Sequence, residues 1–254
     1  MNAATKNIIF RISILLGLVL FVFLVVNTII HRKSTLIKKT EITIDDLDGN
    51  FMLDKKQISA LLNKNFEIRN NKLNGNDLEE IEDTIAALPL VKKANAYIDN
   101  NGNLNIQIEQ RRPLLRVFNS INETYYIDED GVKFPCSKLY TARVPIVNGN
   151  IPEQCGKEQK IQSKELKRVF AVWNGIKEND TWKNLIGQLF VNQKSEVELV
   201  PRIGSAIIYF GNDQDIPQKI KRMDVFYFDV LPKVGWNTYK VINIMYKDQV
   251  ICKK

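Results

Sequence analysis

From Ile12 to Ile30 the chain reads ISILLGLVLFVFLVVNTII, with no charged side chain. At ~1.5 Å per helical residue the run reaches about 28 Å, roughly one bilayer core, and so predicts a transmembrane helix. Arg11 stands at its N-terminal edge, from which a long cation can reach back to the headgroups. A cleaved signal peptide is the competing reading. Its apolar stretch spans only about 7–15 residues and ends at a small-x-small site, and no such site follows here. The anchor is therefore expected to stay.

Beyond a short basic linker, Glu41-Ile42-Thr43-Ile44-Asp45 alternates polar and apolar side chains as a half-buried strand does, and Asp48-Gly49-Asn50 turns the chain. Asp54 with Gln57 predicts the start of a helix whose Ile58, Leu61 and Leu62 share one face. Asn76 with Glu79 predicts a second helix, carrying Leu78, Ile81, Ile85 and Leu88 and ended by Pro89. Strands follow at Val91 to Ile98 and Leu104 to Ile108, joined across Asn100-Asn101-Gly102-Asn103. The expected core of this stretch is Ile42, Ile44, Ile58, Leu61, Leu62, Ile81, Ile85, Leu88, Val91, Ile106 and Ile108.

Past Pro113 the pattern becomes one of short strands interrupted by two helices. One helix runs from about Ser163 to Glu178, with Leu166, Val169, Phe170, Trp173 and Ile176 on one face. Strands are expected at Gln188 to Val191, Val197 to Val200 and Ala206 to Phe210. Asp215 with Gln218, and Pro217 in the first turn, open a helix bearing Ile220, Met223, Phe226, Tyr227 and Val230. Trp236 to Tyr246 and Gln249 to Lys253 are expected to close the chain as a hairpin. No repeat is visible.

Composition narrows the function classes. With 44% hydrophobic and 26% charged residues in 254, the chain has the make-up of a folded protein of one large or two modest domains. The net charge of +7 comes from 36 basic and 29 acidic residues that are interleaved, so it gives neither a basic stripe nor a nucleic-acid motif. The single histidine, His31, follows the apolar run, which leaves no material for a Ser-His-Asp set or a histidine metal site. Phosphate-cradling and nucleophile-elbow motifs are absent as well. No catalytic, cofactor-binding or metal residue and no small-molecule substrate is therefore expected. Asp128-Glu129-Asp130 reads as a hairpin turn ending at Gly131 before it reads as a cation site. Glu79, Glu80, Glu82 and Asp83 read as the solvated side of a helix. Cys136, Cys155 and Cys252 leave two readings open: free thiols, or a Cys136–Cys155 bridge in an oxidising compartment.

The text around these elements resembles a known family. Leu88-Pro89-Leu90-Val91-Lys92-Lys93-Ala94, Asn103-Leu104-Asn105-Ile106-Gln107-Ile108-Glu109 and Arg112-Pro113 resemble the signature of the POTRA domain, whose strand-helix-helix-strand-strand order also matches. Tyr125-Tyr126-Ile127-Asp128-Glu129-Asp130-Gly131-Val132-Lys133-Phe134 and Pro145-Ile146-Val147-Asn148-Gly149 resemble the segments that follow this domain in FtsQ/DivIB cell-division proteins. The ending, Tyr239 to Lys253, is similar to that of Bacteroidetes-type members.

The resemblance implies an α+β protein: a cytoplasmic tail at 1–11, a transmembrane helix at 12–30, a linker at 31–40, a POTRA domain (β-α-α-β-β) at 41–115 and a β-rich domain with helices at 116–254. It implies a non-enzymatic divisome scaffold, single-pass in the bacterial inner membrane, with its bulk in the periplasm. Lys6 and Arg11 before the helix are outnumbered by Arg32, Lys33, Lys38 and Lys39 after it, so charge alone orients the chain the other way. The implied partners are division proteins of the FtsB/FtsL type, met at Tyr246, Gln249, Val250, Ile251 and Cys252. A POTRA-bearing envelope assembly or secretion factor is the runner-up, and a membrane-anchored envelope enzyme the more distant alternative.

Overall fold

A computed structural model describes residues 14–23, 35–47, 49–66, 68, 72–156 and 160–254. Residues 14–23 of the expected transmembrane helix are helical with exposed side chains, and the remainder of that expectation, with the tail before it and His31 after it, lies outside the described residues. Among the described residues no helix is long and apolar enough to cross a membrane. The chain forms two compact units, one of residues 1–45 and 54–109, the other of 46–53 and 110–254. The segment 46–53 thus groups with the second unit, although the sequence pattern places it inside the first.

The first unit holds β1 (Thr35–Leu36), β2 (Lys39–Ile44), α1 (Lys55–Phe66), β3 (Lys72–Leu73), α2 (Gly75–Ala86), β4 (Val91–Ile98) and β5 (Asn103–Gln110). β1 pairs with β3, and Ile37 is buried, so folded structure already begins within the stretch expected to be linker. The larger sheet has the order β2-β5-β4, with β2 parallel to β5. Leu104, Ile106 and Ile108 alternate into the core, and Ile58 and Leu62 of α1 and Ile81 and Ile85 of α2 are buried as well. Each such side chain contributes about 1.5–3 kcal/mol by leaving water.

Capping explains where the helices start. The Asp54 carboxylate accepts the Lys56 N–H at 2.9 Å. The second helix begins earlier than the Asn76/Glu79 pattern predicts, because Asn74 caps it: Asn74 Oδ1 accepts from Asn76 and Asp77, and the Asp77 carboxylate returns to the Asn74 N–H at 2.7 Å.

Of the expected core, Ile42, Leu61 and Leu88 are only half-buried. Leu88 lies in the turn after α2, beyond the last helical residue, and no longer follows the helical face. Leu62→Ala should therefore cost about 2–5 kcal/mol and Leu88→Ala about 1 kcal/mol. Urea unfolding followed by circular dichroism measures both, and equal losses would contradict these faces.

The second unit contains β6 (Pro113–Phe118), β7 (Thr124–Asp128), β8 (Lys133–Pro135), β9 (Ile146–Gly149), α3 (Lys164–Lys177), α4 (Asp180–Leu185), β10 (Ile186–Val191), β11 (Val197–Pro201) and β12 (Ile207–Gly211). It ends with α5 (Ile216–Asp224), a π-helical stretch (Val225–Val230), α6 (Leu231–Val234), β13 (Val241–Asn243) and β14 (Ile251–Lys253). All its strands form one nine-stranded sheet of order β14-β13-β12-β11-β10-β9-β6-β7-β8. β9–β10 and β12–β13 are parallel, so each pair needs a long crossover, and α3 with α4 and then α5 to α6 supply them.

Ser163 caps α3 through the Leu166 N–H, and Leu166, Val169, Val172, Trp173 and Ile176 are buried in the core it forms with the sheet. At the end of β9, Gly149 has φ +101°, and a Cβ there would stand 2.2 Å from the Val191 carbonyl oxygen, so only glycine lets the two parallel strands close up.

Candidate partner-binding edge

The chain ends on an open sheet edge. β13 pairs in parallel with β12 and antiparallel with β14, in the register Val241↔Lys253, Ile242↔Cys252 and Asn243↔Ile251. β14 is the last strand in the sheet, which leaves one of its sides without a neighbour among the described residues. The expected terminal hairpin exists but is shorter than the pattern suggests: residues 236–240 are turns and bends, and β13 begins at Val241.

The Lys253 carbonyl accepts the Lys240 N–H at 2.8 Å, toward the sheet. Because main-chain groups of successive strand residues point to opposite sides, the N–H and C=O of Cys252 face the open edge. The side chains alternate as well. Val250 and Cys252 pack against the core, whereas Ile251 (41% exposed) faces water. Burial pushes the Cys252 thiol above its usual pKa. Tyr246 is exposed in the connecting loop, and Asp248 turns that loop with φ 58°, a conformation that aspartate tolerates.

The edge is held from behind. Arg222 on α5 donates to the Ile244 carbonyl through Nη2 and Nε at 3.1 and 3.3 Å. Gly211 at the end of β12 has φ +83°, and a Cβ there would meet Met245 Sδ at 2.7 Å, so its bareness lets the segment after β13 lie close.

Asp215, expected to cap α5, is left-handed at φ 51° and its side chain makes no capping bond; the helix start rests on its carbonyl, which accepts the Lys219 N–H at 3.0 Å, and on Pro217. α5 then widens into the π-helical stretch, a feature common at functional sites.

Between that stretch and β14 lies a groove of about 630 Å³, lined by Lys221, Arg222, Val225, Phe226, Val230 and Val250 among others. Of the five residues singled out by resemblance, Gln249 and Val250 thus line the groove, Ile251 and Cys252 form the edge strand and Tyr246 stands in the loop between strands. Sequence reasoning missed Val225, Lys221 and Arg222; Phe226, read as a core-face residue, does pack against the core and lines the groove as well, while Val230, read the same way, lines the groove. The run Val225-Phe226-Tyr227-Phe228, apolar on consecutive positions, was the available signal, since an α-helix cannot bury all of them on one side.

The other candidate chemistry resolves into structure. Asp128 is buried; its Oδ1 accepts the Asp130 and Val132 N–H groups and its Oδ2 meets Arg111 Nη1 at 2.7 Å, so its oxygens hold a turn. On α2, Glu82 accepts the Ala96 N–H at 2.6 Å and clasps helix to β4, while Glu79, Glu80 and Asp83 face solvent. All three cysteines are free, with Cys136 Sγ 3.8 Å from Thr124 Oγ1. No cluster of three or more metal-ligating side chains occurs among the described residues.

The family model for FtsQ/DivIB, C-terminal related, matches residues 112–253, and a POTRA-like domain model matches residues 35–109. No curated protein matches the chain closely enough to count as a relative.

Proposed function

We propose, from the premise that this chain belongs to the FtsQ/DivIB family of cell-division proteins, that it is a non-catalytic scaffold which captures other division proteins by strand addition at β14. In this reading the apolar run 12–30 anchors it in the inner membrane, the two units work in the periplasm, and the captured strand comes from a partner of the FtsB/FtsL type. Capture then couples division to septal wall synthesis.

The observation that carries the reading is the open side of β14. An incoming strand gains main-chain hydrogen bonds there, while the groove beside Val250 accommodates one of its apolar side chains. Lys253 and Lys254 at the chain end discourage indiscriminate edge-to-edge pairing, which is how an edge stays soluble while it awaits a partner.

Single alanine substitutions at Gln249 or Ile251 should be mild, because each leaves the main-chain ladder intact. Cys252→Pro should weaken capture by at least about tenfold, since it removes an N–H that faces the open side. The experiment is co-purification of the full chain from envelope membranes with candidate division partners, with a reporter active only after export fused to the C-terminus. A folded Cys252→Pro protein that captured its partner at full strength would refute strand addition, and a silent reporter would refute the periplasmic assignment.

A further inference from the structure

We propose that a second, cationic groove in the β-rich unit binds an acidic segment of a protein partner. Two adjoining depressions, of about 580 and 850 Å³, share Arg112, Pro113, Arg143 and Val144 and together make one elongated groove. Its cations are Arg112, Arg143, Lys177, Lys183 and Arg202, against the acids Glu129 and Glu178.

Four of these cations carry no carboxylate partner among the described residues, whereas several other cations of the unit are engaged. Arg111 is engaged by Asp128, Lys133 by Glu153, Arg168 by Asp213 and Lys219 by Asn212. Arg143, Lys177, Lys183 and Arg202 form no ion pair with any carboxylate among the described residues. Arg143, Lys177, Lys183 and Arg202 outnumber the two acids of the groove, Glu129 and Glu178, and an anionic ligand relieves their mutual repulsion.

A second, independent feature is Trp173 on α3. It lines the groove, is 2% exposed, and its indole N–H has no acceptor among the described residues. A buried donor left in this state costs about 1–3 kcal/mol, which a ligand carboxylate at the groove wall would offset.

The distribution of the cations selects the ligand. They come from the start of β6, the loop before β9, the end of α3, α4 and the residue after β11, so they are spread along the groove. A small inorganic anion requires donors that converge on one point. Pro113, Leu114, Val144 and Pro145 put apolar surface between the charges, which suits a peptide that alternates carboxylates with apolar side chains. The groove shares no lining residue with the one beside β14, and this inference does not rest on strand addition there.

The test titrates the full chain, in uncharged detergent, with a fluorescent peptide of alternating glutamate and leucine. Saturable binding that weakens with added salt is expected, accompanied by a change in tryptophan fluorescence that Trp173→Phe removes. The charge reversal Lys183→Glu with Arg202→Glu should weaken binding about tenfold or more, a loss of ~1.4 kcal/mol, while Lys194→Glu on the β10–β11 turn should leave it unchanged.

Failure of the peptide to saturate, or affinity that survives the charge reversal, overturns the proposal. Phosphatidylglycerol vesicles or inorganic phosphate binding in a reversal-sensitive way, with the peptide inert, overturns it in favour of a headgroup site. Cys252→Pro should leave peptide affinity intact, so failure at the edge strand and failure at this groove read out separately.

Discussion

Replacing Lys133 with methionine is expected to destabilise the β-rich unit by about 3–5 kcal/mol, because it strands a buried carboxylate. The Lys133 ammonium and the Glu153 carboxylate are 4% and 9% exposed and meet at 2.7 Å. Lys133 also donates to the Gln154 carbonyl at 2.9 Å, and Glu153 accepts the N–H groups of Gln162 and Ser163 at 2.9 and 2.7 Å. The Glu153 carbonyl in turn accepts the Tyr125 hydroxyl at 2.9 Å. This set ties the segment after β9 and the N-terminus of α3 to the β7–β8 hairpin.

Burial by itself would raise the Glu153 pKa, but Lys133 and the N–H donors of Ser163 and Gln162 outweigh it and hold the group below the usual carboxylate range. A depressed folded-state pKa stabilises the protein above the unfolded value, and that contribution is lost as pH falls through the folded one. The wild type should therefore lose stability on acidification below the ordinary glutamate range. The gap between wild type and Lys133→Met should narrow there, since a protonated Glu153 no longer needs a counter-ion. Restoring part of the loss with Glu153→Gln in the same chain would confirm that the stranded charge is the cause. Urea titrations across pH measure all three proteins, and a gap that stays constant with pH would show that lost packing alone is responsible.

Trp182→Ala should cost about 3–5 kcal/mol and should also weaken partner capture at the distant edge strand. Trp182 is fully buried on α4, its indole N–H donates to Asp224 at 2.5 Å, and its ring meets those of Tyr227 and Phe228 at 4.9 and 5.8 Å. Those partners belong to α5 and the π-helical stretch, whose opposite side carries Val225, Phe226 and Val230 into the groove beside Val250. Removing the indole leaves a cavity under the wall of the proposed capture site. Trp182→Phe keeps most of the packing and leaves Asp224 without its donor, a loss of about 1–3 kcal/mol. Denaturation by circular dichroism reads the stability, and co-purification with a division partner reads the edge. Full partner capture by a folded but destabilised Trp182→Ala protein would show that the groove wall does not depend on α4.

How far the sequence reached can be seen in particular elements. The period-2 alternation of Leu104, Ile106 and Ile108 places each of them in the core, and the 3.6-residue spacing of Leu166, Val169, Trp173 and Ile176 gives α3 its buried face. Both patterns are local, because a strand or helix that buries one side must write that side into neighbouring positions. The pattern also started α3 at Ser163, which caps it, whereas the need for glycine at 149 comes from Val191 on the neighbouring strand and not from local sequence. Where competing caps stood a few residues apart, as with Asn74 and Asn76, the pattern found the helix and misplaced its start.

What the sequence by itself determined is therefore the kind and order of elements, the two core-forming stretches, and a final strand with two unlike faces. Only the tertiary structure decided that this strand lies at the outer edge of a nine-stranded sheet, since edge position depends on which strands pair, and parallel pairings such as β12–β13 join segments separated by whole helices. It alone brought Arg143, Lys177, Lys183 and Arg202 to one groove and set the π-helical stretch beside Val250, for no local period marks side chains that meet only after the crossovers have folded over the sheet.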